Sequence, residues 1–340
     1  MNSIAPRFSL FSMLIVAVAI PAAATVTVSS PVNNSQVESP FALAAVASTC
    51  SSQTVGAMGY SLDSSTDTII VDGTKVEAAV ASAIGNHTLH IKAWGEEGST
   101  CVEDVAITVI VGIPMYPLSA TVNNNLQTLS NWKAADDTAT GGGGASGIMS
   151  LVNTPSRSGN TRKFLTSYSK YSGERYNVSF GDDTTSTNFI YDGWLYLPSP
   201  STSIANIEMD MNQVMKNGET VIFGVQCDGW AGTWDYTANT GTASKPNDEC
   251  LHSKVACNPR AWSTNTWHHV QISYSRDDSG NVTYKSVTLD GIESSINATV
   301  PSAFALGWSP TLFTNFQVDS YVAGSATSIV YLDDLTIYRW

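Results

Sequence analysis

From Thr25 onward the chain alternates apolar and polar residues in short runs, the period of half-buried strands. Val26 and Val28 alternate with threonine and serine. The pattern returns at 41–47, 57–62, 68–71, 88–94 and 105–111. Turn chemistry separates these runs, at Ser30-Pro31-Val32-Asn33-Asn34, Asp72-Gly73, Gly85-Asn86 and Glu96-Glu97-Gly98. Strands this short and this closely spaced predict a small sandwich over 25–112. Pro114 and Pro117 then interrupt strand continuity, so a linker is expected at 113–117.

Residues 118–340 read as a second, larger domain without a helical period. Gly141 to Gly144 reads as a flexible loop and 145–166 as polar and irregular. Strands are expected at 191–197, 206–215, 220–226, 267–275, 282–289 and 328–339. A Lys216-Asn217-Gly218 turn joins the second to the third, and Asp278-Ser279-Gly280-Asn281 joins the fourth to the fifth. Long hairpins with no helix between them predict a double sheet, so the whole chain is expected to be all-β.

Alternation sorts each strand into two faces. Over 206–215, Ile207, Met209 and Met211 take the core side, which leaves Glu208, Asp210 and Asn212 as a polar ladder on the other. Val221, Phe223 and Val225 are likewise core, with Gln226 opposite. On 267–275 the core set is His268, Val270, Ile272 and Tyr274, so Trp267, His269 and Gln271 would join the acids if the strands share a sheet. The loop Asp228-Gly229-Trp230-Ala231-Gly232-Thr233-Trp234, and Trp262 beyond it, would bring indoles to the mouth of that face. Sugars need this combination: ring faces stack on aromatic side chains, and hydroxyls pair with Asp, Asn, Gln and His. The expected ligand-binding set is therefore Glu208, Asp210, Asn212, Gln226, Trp230, Trp234, Trp262, His269 and Gln271.

Composition narrows the setting. Arg7, the apolar run from Phe8 to Ile20 and the small residues Pro21-Ala22-Ala23-Ala24 have the form of a cleaved signal peptide over 1–24, so export is expected. No later apolar run is long enough to span a bilayer. A net charge of −13 without clustered Lys and Arg excludes nucleic acid as a natural partner and disfavours anionic membrane surfaces. Five cysteines in an exported chain point to disulfides with one thiol left over. Cys50 is expected to pair with Cys101. Three pairings are open to Cys227, Cys250 and Cys257, of which Cys227 with Cys257 is preferred. His87 and His90 sit three apart on a strand, face opposite sides and are read as structural.

Two stretches resemble known families. VTVSSPVNNSQVESPFALAA, the VDG turn and GNHTLHIKAWGEEG look like bacterial immunoglobulin-like domains, which implies a spacer sandwich over 25–112. NIEMDMNQV, WHHVQISYSR with DSGNVTYKSVTLDG, and the closing IVYLDDLTIYRW resemble the concanavalin A-like lectin/glucanase superfamily, which implies a jelly roll over 118–340. Laminarinase-type hydrolases of that superfamily carry Glu-x-Asp-x-(x)-Glu on one strand. Glu208 and Asp210 match the nucleophile and the assisting acid, whereas the acid/base position falls on Asn212 or Gln213, neither of which can donate and retrieve a proton. The resemblance also admits a structural Ca²⁺, for which Glu208 with Asp210, Asp182 with Asp183, and Asp333 with Asp334 are the oxygen pairs; hydrogen-bonded or solvated carboxylates are the favoured reading of each. No other cofactor is expected. The leading expectation is a non-catalytic polysaccharide-binding protein. The alternatives are a hydrolase or lyase using Glu208 and Asp210, with His269 or a tyrosine as the lyase base, and a structural or adhesive surface protein.

Overall fold

The computed structural model describes residues 26–63, 66, 68–110, 112, 116–137 and 142–340. The expected leader at 1–24 and most of the expected linker lie outside them. Chain contacts separate two compact units, one built from 26–36, 41–80 and 86–108, the other from 37–40, 81–85 and 109–340. Both are all-β.

The first unit carries a three-stranded antiparallel sheet of Thr27–Ser30, Phe41–Val46 and Lys75–Val80. A second sheet runs in the order Ser35–Glu38, Thr100–Ile110, Gly85–Gly95, Gln53–Leu62 and Thr49–Cys50, with Ile69–Asp72 added along Gln53–Leu62. Alternate residues from both sheets (Leu43, Val76, Met58, Leu89, Ile91 and Ile107) are buried. The Cys50–Cys101 disulfide forms as expected. His87 and His90 bond to different acids, Asp63 at 2.8 Å and Asp104 at 2.6 Å, which suits separate structural roles.

The second unit has two larger sheets. The first runs Ala145–Val152, Thr161–Ser169, Ser325–Arg339, Asn188–Tyr196, Trp267–Arg276, Asn281–Leu289 and Ile292–Pro301, with Thr121–Asn123 added along Ser325–Arg339. The second runs Lys133–Asp137, Gly173–Gly181, Thr311–Ser320, Ile204–Val214, Val225–Asp228, Thr233–Asn239 and Asp248–Ala256; Thr220–Phe223 also pairs with Ile204–Val214, and Ala303–Phe304 pairs with Thr220–Phe223. Rings bridge the sheets: Phe164 stacks on Phe316 at 4.8 Å, and Phe223 meets Phe189 at 5.0 Å and Tyr274 at 5.1 Å. Ile207, Met209 and Met211 are fully buried among them, as alternation requires.

Three expectations change. The 145–166 stretch is a hairpin, with Ala145–Val152 antiparallel to Thr161–Ser169. The Thr311–Ser320 strand, absent from the expected set, lies at the centre of the second sheet between Gly173–Gly181 and Ile204–Val214. Trp267–Arg276 pairs with Asn188–Tyr196 and Asn281–Leu289 in the first sheet, so its outward residues cannot join Glu208.

Candidate functional site

The outward face of the second sheet is polar over most of its width. Antiparallel register sets its residues in rows across neighbouring strands. Glu208 is paired with Gln317 on one side and Gln226 on the other, and Gln317 pairs on with Arg175. Asp210 is paired with Asn315, which pairs on with Asn177. Asn212 lies between Phe313 and Ile222. Gly224 lets this floor close up, because a Cβ there would collide with Thr237 Oγ1.

Two adjoining recesses open along this face, sharing Arg175, Ile222, Asp248 and Asn315. The wider, of about 730 Å³, runs past Asn212, Phe313, Leu306 and Trp308. The narrower, of about 320 Å³, contains Glu208, Asp210, Gln226, Asp248, Cys250 and Asp319. Together they form one groove, with an aromatic end and an acidic end. Trp308 is 50% exposed and packs on Phe313 with ring centroids 5.7 Å apart.

The polar ladder predicted from alternation is therefore present, but as the floor of a groove and not as an open face. Asp210 is 4% exposed and Asn212 1%. Both carry a buried polar atom without a hydrogen-bond partner, Oδ1 of Asp210 and Nδ2 of Asn212, while the Asp210 carboxyl is otherwise held by Asn315 Nδ2 at 3.3 Å and by Glu208. Such atoms are uncommon in folded proteins, and each costs about 1–3 kcal/mol.

Burial, and then the charge of Asp210, hold the Glu208 carboxyl well above its ordinary value. Burial pushes Asp210 up to about 7, and burial with the charge of Asp137 does the same to Asp319. Gln213 does not complete the hydrolase pattern, because it is buried and accepts from Arg276 Nε at 2.7 Å.

No family model and no curated protein match the chain. Solved structures do. One, described as "Structural basis for the promiscuous specificity of the carbohydrate-binding modules from the beta-sandwich super family", is 10% identical at a TM-score of 0.34, over 93% of this chain and 98% of that one. Another, "Cellulose induced protein, Cip1", is 15% identical at 0.35, over 61% and 90%. The family 11 carbohydrate-binding module from Clostridium thermocellum is 13% identical at 0.27, over 64% and 94%. At these scores the likeness carries no weight of its own, and the reading below rests on the groove.

Several expected site residues fall elsewhere. Trp234 is 1% exposed: it is paired across the sheet with Cys227, whose side chain is sealed in the core by its disulfide to Cys257. Trp262 is buried against His268 at 5.1 Å. His269 and Gln271 belong to the other sheet and hold Asp192, through Nε2 at 2.7 Å and Nε2 at 2.8 Å respectively. Trp230 is 53% exposed, but it clusters with Tyr321 at 4.4 Å and Tyr171 at 5.6 Å and does not line the groove. Trp308 and Phe313 were missed; the alternation of Phe313, Asn315, Gln317 and Asp319 with Thr314, Phe316 and Val318 could have found the strand of Phe313, whereas Trp308 lies in the loop before it.

The carboxylates of the pairs at 182–183 and 333–334 are hydrogen-bonded, ion-paired or exposed. Asp333 is fully buried and accepts from Ser156, Ser158, Thr161, Gln127 and three backbone N–H groups, which leaves its oxygens fully engaged. Asp183 accepts from Thr185 and Ser186 and pairs with Arg339. Asp334 lies 3.6 Å from Arg157, and Asp182 is exposed in a loop. Among the described residues, Asp228, Asp235 and His252 are the set whose ligand atoms lie within 4.8 Å of one another; His252 and Thr233 bond to Asp235, and the Trp230 N–H bonds to Asp228. Cys250 is free, as expected.

Proposed function

We propose that the second unit is a carbohydrate-binding jelly roll of the concanavalin A-like kind, carried with an immunoglobulin-like spacer on an exported protein, and that a glycan lies along this groove. One observation carries the reading. Asp210 Oδ1 and Asn212 Nδ2 are buried, unpartnered and set in the floor of a groove whose far end offers an indole. A hydroxyl-bearing ligand supplies both the donor and the acceptor they lack, while Trp308 and Phe313 offer apolar faces to a pyranose ring. The two disulfides and the apolar leader favour export. Among the described residues no helix is long and apolar enough to cross a membrane.

The test is a glycan array followed by titration of the best ligand. Trp308→Ala should weaken binding about tenfold, the equivalent of about 1.4 kcal/mol for a lost stacking contact. Unchanged affinity would refute the assignment of the groove.

A second reading, hydrolysis, is favoured by the raised carboxyls of Glu208 and Asp210, because a general acid must hold its proton near neutral pH. It is weakened by Asn212 at the acid/base position. Lyase chemistry is disfavoured further, since among the described residues no histidine or tyrosine lines the groove. New reducing ends on the bound glycan, lost in Glu208→Gln with binding retained, would establish the enzyme.

A further inference from the structure

The two ends of the groove differ in charge, and this difference speaks to which sugars it accepts. Resting on the carbohydrate reading above, we propose that the acidic recess takes a sugar bearing a free amine, so that the ligand is a polymer of unacetylated amino sugars.

Five carboxyl groups line the narrower recess (Asp137, Glu208, Asp210, Asp248 and Asp319), and Arg175 is the one cationic side chain among its described lining residues. These acids come from four strands of one sheet face, so no single turn or ion pair accounts for their assembly. Asp210 is nine-tenths buried; Asn315 donates to its Oδ2 at 3.3 Å and the Glu208 carboxyl bonds to it, but its Oδ1 meets no N–H or hydroxyl donor, and an ammonium brings three. The charge of Asp137 acts unfavourably on Glu208, Asp248 and Asp319 alike, so the recess is short of positive charge when empty. Burial with that crowding makes Glu208, Asp210 and Asp319 hold protons near neutral pH; an ammonium can take the place of those protons, a neutral sugar cannot, and a uronate or sulfate adds repulsion. Gln226 on the same wall offers an amide to ring hydroxyls, whereas Asn206 bonds to Gln226 and Gly229 and Gln317 holds Asp137 and Asp319.

The experiment is calorimetric titration of the full chain with four oligomers of equal length, built from glucosamine, N-acetylglucosamine, glucose and glucuronate. The glucosamine oligomer should bind at least tenfold tighter than the acetylated and glucose oligomers, and the glucuronate oligomer should not bind. Asp248→Asn, at an exposed position on the recess wall, should cut that preference at least threefold. Glu293→Gln, an exposed acid on the other sheet, makes the same change in net charge and should leave the preference intact. Equal losses in the two variants would show mere attraction of a polycation to an acidic protein and overturn the proposal. So would equal or tighter binding of the neutral oligomers, which would leave the carbohydrate reading standing. Failure of all four oligomers and of the glycan array together would sink that reading as well.

Discussion

Asn212→Leu should stabilise the free protein and weaken its ligand binding, and the opposite signs make it a demanding test. Asn212 is 1% exposed, with Nδ2 buried and unpartnered, and its neighbours across the strands are Phe313 and Ile222. A buried donor without an acceptor costs about 1–3 kcal/mol, and an apolar side chain of similar size removes that cost. Leucine between phenylalanine and isoleucine also gains packing, offset in part by its imperfect fit to a site shaped for an amide. A net gain of about 1 kcal/mol follows, which raises Tm by roughly 2–4 °C for a unit of this size. The same change deletes one hydrogen bond to the glycan, worth about 0.5–1.5 kcal/mol, so Kd should rise by up to about tenfold. Differential scanning calorimetry of the full chain reads the first effect and titration with the array's best glycan reads the second. If Asn212→Leu lowers Tm, the amide is holding the fold together and the floor was misread. If Tm rises and affinity stays the same, the glycan lies elsewhere.

Two other changes test neighbouring parts of the same account. Asp333→Asn should destabilise the second unit by about 3 kcal/mol, because an amide cannot accept from every donor around the buried carboxylate and each unmatched donor costs about 1–3 kcal/mol; an unchanged urea midpoint would count against this. Burial raises the Asp333 pKa, but hydrogen bonds from Ser158, Thr161 and the Arg157 N–H outweigh it and leave the folded value depressed. Its stabilisation is then complete above the unfolded value of about 3.9 and lost as pH falls through the folded one, so between pH 5 and 2 the wild type should lose more stability than the variant. Cys250 is exposed by surface area, yet loss of solvation in the recess, then the charges of Glu208, Asp248, Asp210 and Asp235, push its thiol well up. Iodoacetamide at pH 8 should therefore label Cys250 much more slowly than a free cysteine in a peptide, and more slowly again with glycan bound; labelling at the peptide rate would show that the acids do not act on the recess.

Much of the site sheet was legible because alternation is a local signal. Sorting Ile207, Met209 and Met211 against Glu208, Asp210 and Asn212 needs only a period of two, and the apolar set is buried as it requires, although Asp210 and Asn212 are buried as well. Alternation says which side of a strand a residue takes. It does not say which of two facing sheets the strand joins, since both bury alternate residues against the same core. His269 and Gln271 were misplaced for that reason: Trp267–Arg276 has a polar outer face like that of Ile204–Val214, yet pairs in the opposite sheet. Trp234 was misplaced for another. Read as a loop indole it looked available, but the hairpin pairs it with Cys227, and a cysteine bridged in the core draws its cross-strand partner inward.

Two residues whose side alternation gives correctly but whose burial it does not foresee, Asp210 and Asn212, also mark the site. Local propensity, alternation and core packing agree along Ile204–Val214 except at Gln213, whose buried amide is fully bonded, and at Asp210 and Asn212, which sit at core-like burial with polar atoms unmatched. Asp333 shows that this fold can satisfy a buried carboxylate completely when nothing else is asked of it. Leaving Asp210 and Asn212 unsatisfied on the other sheet, at the bottom of a groove, is a local conflict that stability alone would not retain. A ligand that arrives with the missing donors and acceptors resolves it, and the stability forgone in the free protein is recovered as binding free energy.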